Sequence, residues 1–361
     1  MKLLLMRAIV VIALVASSIG GATAHPNGRG PDGCITPTRH LTMYAVQLPS
    51  APDGSVRLAY GLTPESASIP GPTIELWEGD CLALTLVNDI PAATLKALRD
   101  DRFLGDGRTP LGISAHPHGV KYRPDSDGIP DNRWQNGSYV PPGQARTFLW
   151  YASPQAHVGK RVASLGSAGY WWYHDHVAGT THGTGGLASG LFGALIVRRA
   201  GDVLPDRTFV MAMGNDATLN MAHHPDTDCE GSHSVVSNRC LVSKAGGRVE
   251  FVVIGTGDDF HTFHLHGHTW ADTRTGSLTG PLDDTRLIDT KTVGPAETFG
   301  FQLVAGESVG VGSWMLHCHV QRHSDRGMKT FLHVTADGTP PEPIGEDHHD
   351  PRHDHDHEML P

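Results

Sequence analysis

Ten of the 24 histidines in this 361-residue chain fall into four tight clusters: His116-x-His118, His174-x-His176, His261-x-x-His264-x-His266 and His317-Cys318-His319 followed by His323. On a β-strand, residues i and i+2 share a face, roughly 6.6 Å apart along it. An HxH pair on a strand therefore aims two imidazoles at one place. Parity then sorts the ligands. His264 and His266 face one way and His261 the other, while Cys318 points away from His317 and His319. Eight histidines from four HxH pairs can build one metal site, and His261 with Cys318 contributes to another. His323 and Met328 follow Cys318 by five and ten residues. Two imidazoles, a thiolate and a nearby thioether describe a blue electron-transfer copper. Zinc accepts Cys and His, but a thioether and an eight-histidine neighbour do not suit it.

Such ligands need a rigid β framework, and the chain supplies one. Short β-rich runs at 41–47, 82–88, 146–151, 191–198, 208–213, 248–254, 299–304 and 329–334 are separated by Gly, Pro and Asp clusters. That is the pattern of an all-β sandwich or barrel. The pattern is also written twice. Glu78-Gly79-Asp80, a strand and His116-Pro117-His118-Gly119 correspond to Ala245-Gly246-Gly247, a strand and His264-Leu265-His266-Gly267. Trp172-Tyr173-His174-Asp175-His176-Val177 likewise corresponds to Met315-Leu316-His317-Cys318-His319-Val320. Two domains are expected, at 25–200 and 201–340, with 198–206 as the linker and a His/Asp-rich disordered tail at 341–361. The tail reads as solvated chain, with transient metal capture as the alternative.

Residues 1–24 read as a secretory signal peptide: Lys2 and Arg7 flank a short apolar stretch, and Ala22-Thr23-Ala24 gives a cleavage pattern. No twin-arginine pair is present, so a secreted or periplasmic protein exported unfolded is expected. With the leader's two cations gone, the net charge falls from −10 to −12. Such an acidic surface argues against nucleic acid or an anionic membrane as partner. Five cysteines in an oxidising compartment leave one over. Cys229–Cys240 and Cys34–Cys81 are the favoured disulfides of three possible connectivities. Cys318 remains, between two histidines.

The four histidine clusters, with Cys318 and Met328 in place, resemble the copper motifs of the multicopper oxidases, present in order over nearly the whole mature chain. With two domains only, the chain is most similar to the bacterial small, two-domain laccases. Ser167-Ala168-Gly169-Tyr170-Trp171 and Gly179-Thr180-Thr181-His182-Gly183-Thr184-Gly185-Gly186 match as well. The resemblance implies two cupredoxin-like Greek-key β-sandwich domains and four copper ions per functional unit. His116 and His264 would hold type 2 copper. His118, His174, His176, His266, His317 and His319 would hold two type 3 coppers, and His261, Cys318, His323 and Met328 type 1. Asp127 and Tyr122 match positions linked to proton supply and a tyrosyl redox role. In domain 1 the repeat aligns Asp175, Thr180 and Gly185 with Cys318, His323 and Met328, so one type 1 copper per chain is expected, in domain 2.

The activity so implied is a laccase-type oxidase. It couples one-electron oxidation of phenols or aromatic amines at type 1 copper to four-electron reduction of O2 to water at the trinuclear cluster. The path between them would run through Cys318 to His317 and His319. The cluster draws four ligands from each domain, and in the small laccases the halves meet between neighbouring chains of a head-to-tail homotrimer. Closure within one chain is the alternative. A cuprous or ferrous oxidase is a second reading, disfavoured for Cu(I) by only 9 Met and no Met-rich insert. Copper storage or delivery is a non-enzymatic third, for which the Cys318 bridge is surplus. A nitrite reductase, whose blue site belongs in domain 1, ranks last.

Overall fold

A computed structural model describes residues 34, 36–99, 110–132, 135–223, 240–277 and 285–341. The leader, Cys229 (and with it the Cys229–Cys240 bond) and the tail lie outside the described residues. The first sandwich is built from β1 (Arg39–Leu48), β2 (Arg57–Gly61), β3 (Gly71–Trp77), β4 (Cys81–Asn88), β5 (His116–Pro117), β6 (Ala145–Tyr151), β7 (Gly169–His174) and β8 (Phe192–Arg198). One sheet has the order β2-β1-β4-β6 and the other β3-β8-β7-β5. The second sandwich uses β9 (Arg207–Gly214), β10 (Thr218–Leu219), β11 (Leu241–Lys244), β12 (Arg248–Gly255), β13 (His261–Leu265), β14 (Thr290–Val293), β15 (Thr298–Val304), β16 (Gly312–Cys318) and β17 (Lys329–Thr335). Its sheets run β10-β9-β12-β15 and β11-β17-β16-β13-β14. Apart from the added edge strand β14, the two halves share one topology. Each places its first strand parallel to the fourth, so the repeat in the sequence is a repeat of fold.

All eight β-rich runs are strands, and the architecture is the expected all-β pair of sandwiches. Cys34 is bonded to Cys81, tying the chain before β1 to the start of β4. Among the described residues no helix is long and apolar enough to cross a membrane.

Burial explains why some strands alternate and others do not. β17 (KTFLHVT) alternates strictly, because one face packs on the core and the other faces out. β8 (FGALIVR) is buried at every position. Leu195 and Val197 enter the first sandwich core, while Phe192, Ala194 and Ile196 join Val210, Ala212, Val252 and Ile254 in a third cluster between the sandwiches. A sheet covered on both faces reads as a continuous apolar run.

The same parity puts one ion pair in that interface. Arg198 is the last residue of β8, not the linker residue that composition suggests, and its side chain is only 2% exposed. It meets the fully buried Glu250 of β12 at 2.6 and 2.9 Å, and Glu75 at 2.7 and 3.0 Å. Tyr170, Thr208 and Gln302 also donate to Glu250 at 2.8–3.0 Å. Burial pushes the Glu250 carboxyl up, but bonds from Arg198, Gln302 and Tyr170 outweigh it and hold the group below its ordinary value. Its contribution to stability is therefore present above about pH 4.5 and lost as the pH falls through the depressed value. Glu250→Gln leaves Arg198 short of its main partner and should destabilise the protein by about 3–5 kcal/mol. Chemical denaturation at neutral pH checks this; a loss below 1 kcal/mol would show that Arg198 re-pairs with Glu75 alone.

Candidate metal centre

Three groups of donor atoms, each mutually within 4.8 Å, stand out among the described residues: His261, Cys318 and His323; His116, His118 and His174; and His264, His266 and His317. Strand register creates them. On antiparallel β7 and β5, His174 lies directly opposite His116. On β16 and β13, His317 lies opposite His264, and the next pair along is Cys318 with Phe263. Both halves thus use the same cross-strand histidine pairing, and in the second half the strand turns Cys318 to the other side.

The Cys318 group is wholly buried. His261 Nδ1 and His323 Nδ1 are 3.2 Å apart, and Cys318 Sγ lies 4.0 and 3.6 Å from them. A point equidistant from all three lies about 2.1 Å from each, the length of a metal–imidazole bond. His323 is carried on the short helix Gln321–Asp325. Met328 is fully buried beside the group. Its carbonyl accepts from Cys318 N–H at 3.0 Å, and its own N–H donates to the His323 carbonyl at 2.9 Å. Burial pushes the Cys318 thiol up, opposed by N–H donors of Thr262 and Val320. A buried thiol and two imidazoles, with Met328 in the same core cluster as Cys318, fit the blue-copper donor set.

The two histidine groups are held by matching outer contacts. His118 Nε2 and His174 Nε2 are 3.3 Å apart, and His266 Nε2 and His317 Nε2 3.2 Å. His174 Nδ1–H donates to the carbonyl of Asp175 at 2.8 Å, and His317 Nδ1–H to that of Cys318 at 2.9 Å. His116 Nδ1 is bound by the Asp127 carbonyl at 2.5 Å, and His264 Nδ1 by the Asp289 carbonyl at 2.9 Å. Fixing Nδ1 as the donor leaves Nε2 with its lone pair free to ligate. His176 and His319 stand beside these groups: ring centroids are 5.3 Å from His116 to His176 and 5.5 Å from His264 to His319. Among the described residues the two groups remain separate: no set of three or more donors within 4.8 Å joins a domain 1 histidine to a domain 2 one. Donor type and Nε2 orientation fit copper in both.

Asp127 lies against the domain 1 group, with a carboxylate oxygen 3.2 Å from His116 Nδ1. The Tyr122 ring meets His116 edge-on at 5.8 Å. Burial, and then the charge and hydrogen bond of Asp127, pushes the Tyr122 hydroxyl up to about 12. Asp289, the domain 2 counterpart of Asp127, is not evident in the sequence, because it follows its histidine by 25 residues where Asp127 follows by 11. His268 bridges the His266 carbonyl (2.9 Å) and Gly306 N–H (3.0 Å), a positioning contact. His182 lies beside His176, with ring centroids 5.1 Å apart and planes tilted by 55°. Trp171 and Trp314 have a shared use: each ring covers the glycine after an HxH pair, Gly119 and Gly267, where an added Cβ would lie 2.1 and 2.7 Å from the ring. Trp172 stacks on His174 at 4.2 Å.

Burial, then neighbouring His116 and His176, pulls His118 down to about 4. Burial and then His323 take His261 to about 4 as well. The rings therefore stay neutral, as ligation requires, at pH values where an unfolded histidine near 6.5 is already protonated. Between about 6.5 and 4 the unfolded chain takes up protons that the folded chain refuses, so stability is lost as the pH falls through that window. The melting temperature of metal-free protein should drop steadily from pH 7 to pH 5. A flat profile would mean the rings are not desolvated as described.

Residues 208–337 match the family model described as multicopper oxidase. A probable nitrite reductase-hydroxylamine oxidoreductase fusion protein of Kuenenia stuttgartiensis is 31% identical over 311 residues, covering 83% of this chain and 31% of that protein. Ferroxidase HEPHL1 of Homo sapiens is 26% identical over 256 residues, covering 60% of this chain and 20% of the relative. The chain thus spans less than a third of the length of these curated relatives. A solved structure described as a multicopper oxidase shares the fold, with a TM-score of 0.56 at 21% identity over 84% of this chain and 91% of that one. Residues 208–337 are thus a multicopper oxidase domain, and the chain as a whole shares the two-sandwich, cupredoxin-like fold of a solved multicopper oxidase.

Proposed function

We propose that this chain is a laccase-type oxidase of phenolic or aromatic amine donors with O2 as acceptor, secreted or periplasmic. The observation that carries the reading is the run His317-Cys318-His319. One peptide places a sulfur in the buried three-donor group and, in the residues on either side, imidazoles in the second group. When bound, type 1 copper would take electrons singly from the donor, and the trinuclear coppers would pass four of them to O2, giving water.

The chain's own groups set the conditions. His261, Cys318, His323 and Met328 would hold type 1 copper, and their complete burial keeps water out. His116 with His264 would hold type 2, and His118, His174, His176, His266, His317 and His319 type 3. Asp127 can hold a proton on its carboxylate, 22% exposed and 3.2 Å from His116 Nδ1, and so pass it between solvent and site. Each histidine group is half of the expected cluster, and within the chain the halves stay apart. A neighbouring copy whose domain 2 faces this domain 1 would complete it, and repeating that contact about a three-fold axis closes a homotrimer. The Cys34–Cys81 bond suits an oxidising compartment.

A ferrous or cuprous oxidase is the second reading, supported by the relative named a ferroxidase. Oxygen uptake by copper-loaded protein with dimethoxyphenol, Fe(II) and Cu(I) separates the two, and fastest turnover with the phenol is expected. Cys318→Ser should abolish blue absorption and activity while keeping most of the type 2 signal; wild-type phenol oxidation by that variant would sink the assignment. Light scattering should report three chains per particle. A fully active monomer would place the cluster within one chain.

A further inference from the structure

The glycine-rich turn after β7 is not used by the chemistry proposed above, yet a Cβ added at Gly179, Gly183 or Gly186 would lie 2.8, 2.5 or 2.2 Å from neighbouring atoms. The repeat explains what it replaces. Where the second half has His261, Cys318, His323 and Met328, the first has Ile113, Asp175, Thr180 and Gly185. Asp175 is fully buried. One carboxylate oxygen accepts from Ser114 N–H at 2.7 Å, and the other from Val177 N–H at 3.3 Å and Ala178 N–H at 2.7 Å. In the second half, Cys318 Sγ accepts from Thr262 N–H at 3.4 Å and from Val320 N–H. Thr262 and Val320 are the repeat partners of Ser114 and Val177. The carboxylate therefore stands on the same two backbone donors as the thiolate and adds a third.

We infer that Asp175 is the positioning residue of the domain 1 histidines, a metal-free stand-in for the thiolate that locks both HxH pairs of that domain in register. Ser114 lies two residues before His116, and Val177 directly follows His176, so one carboxylate ties the two ligand segments together. Further contacts reinforce the tie. Ser114 Oγ accepts from His176 N–H at 3.0 Å, Ser114 carbonyl accepts from Tyr60 Oη–H at 2.5 Å, and Asp175 carbonyl orients His174. Thr180, the counterpart of His323, turns inward on the backbone instead, accepting from His182 and Thr184 N–H at 3.2 Å. Gly186 and Gly183 complete the packing: an added Cβ would lie 2.2 Å from the Asp175 carboxylate and 2.5 Å from its carbonyl. Removing the Asp175 acceptor leaves three buried N–H donors unsatisfied, which is costly in the interior.

This inference rests on reading the domain 1 histidines as copper ligands, and the test separates the two. Amide hydrogen exchange on the metal-free full chain is measured for wild type, Asp175→Ala and Asp175→Cys, followed by Cu(II) titration. Asp175→Ala should lose protection at Ser114, Val177 and Ala178. It should bind type 2 and type 3 copper about 10–100-fold more weakly, as loss of an outer-shell contact does, while the blue band of the Cys318 group is unchanged. Asp175→Cys should restore protection at Ser114 and Val177 and part of the affinity, because sulfur on those two donors is the arrangement of the second half. Unchanged protection and copper affinity in Asp175→Ala would overturn the inference. Lost protection in a protein whose wild type takes no copper at these histidines would leave Asp175 as the lock and overturn the copper reading. Should Asp175→Ala not fold, Gly186→Ala displaces the carboxylate without deleting it and must weaken the same copper sites; tight binding there overturns the proposal equally.

Discussion

Neighbouring residues on a strand point to opposite faces, and at the end of β16 that rule has to serve two donor groups at once. His317 must pair across the sheet with His264, while Cys318 must leave the same strand on the other side and reach His261 and His323. A one-residue slip of β16 against β13 would exchange the faces and ruin both groups together. The rest of domain 2 follows from this demand. β17 pins β16 along its other edge through six cross-strand pairs. The Met328 carbonyl holds the Cys318 amide, and the helix carrying His323 is fastened by backbone bonds to Val320. Register comes first, and ligand geometry follows from it.

Duplication extends the constraint to domain 1, where the opposite-facing residue is Asp175 in place of a cysteine. The histidine pairing across β7 and β5 is kept, so a group must still occupy the place of the sulfur and satisfy the backbone donors aimed there. The Asp175 carboxyl group meets that requirement by accepting from three backbone N–H groups. The glycines around it follow from the same exchange, since a carboxylate touched by three N–H groups leaves no room for a Cβ at Gly186. The two halves thus solve one packing problem with different chemistry, a carboxylate in the first and a thiol beside two imidazoles in the second.

Much of this was legible in the sequence, for a physical reason. Strand parity needs no tertiary information, so the split of His261 and Cys318 from the HxH pairs could be read directly, as could the eight long strands. Residues acting through backbone atoms could not. Asp289 holds His264 by its carbonyl, which any residue type could supply, and its loop is longer than that of Asp127, so no spacing marks it. Arg198 was hidden for the opposite reason: a charged residue before Arg199, Asp202 and Pro205 reads as linker, whereas parity along β8 carries it into the interface opposite Glu250. The Trp171–Gly119 and Trp314–Gly267 contacts join residues about 50 apart in sequence, and only the repeat hints that they belong together.

The interface between the sandwiches bears on why two separate histidine groups are built rather than one. The inner sheets are clamped face to face by Phe192, Ile196, Val252 and Ile254 and by Arg198 with Glu250. That clamp uses the outer faces of β8 and β12, whereas the histidines lie at the ends of β7 and β16. Swinging the domains until the histidine groups met would pull this apolar layer and its buried ion pair into water. Breaking such a pair alone costs several kcal/mol, before any exposed apolar area is counted. The fold therefore fixes the domains in an arrangement that holds the two histidine groups apart among the described residues.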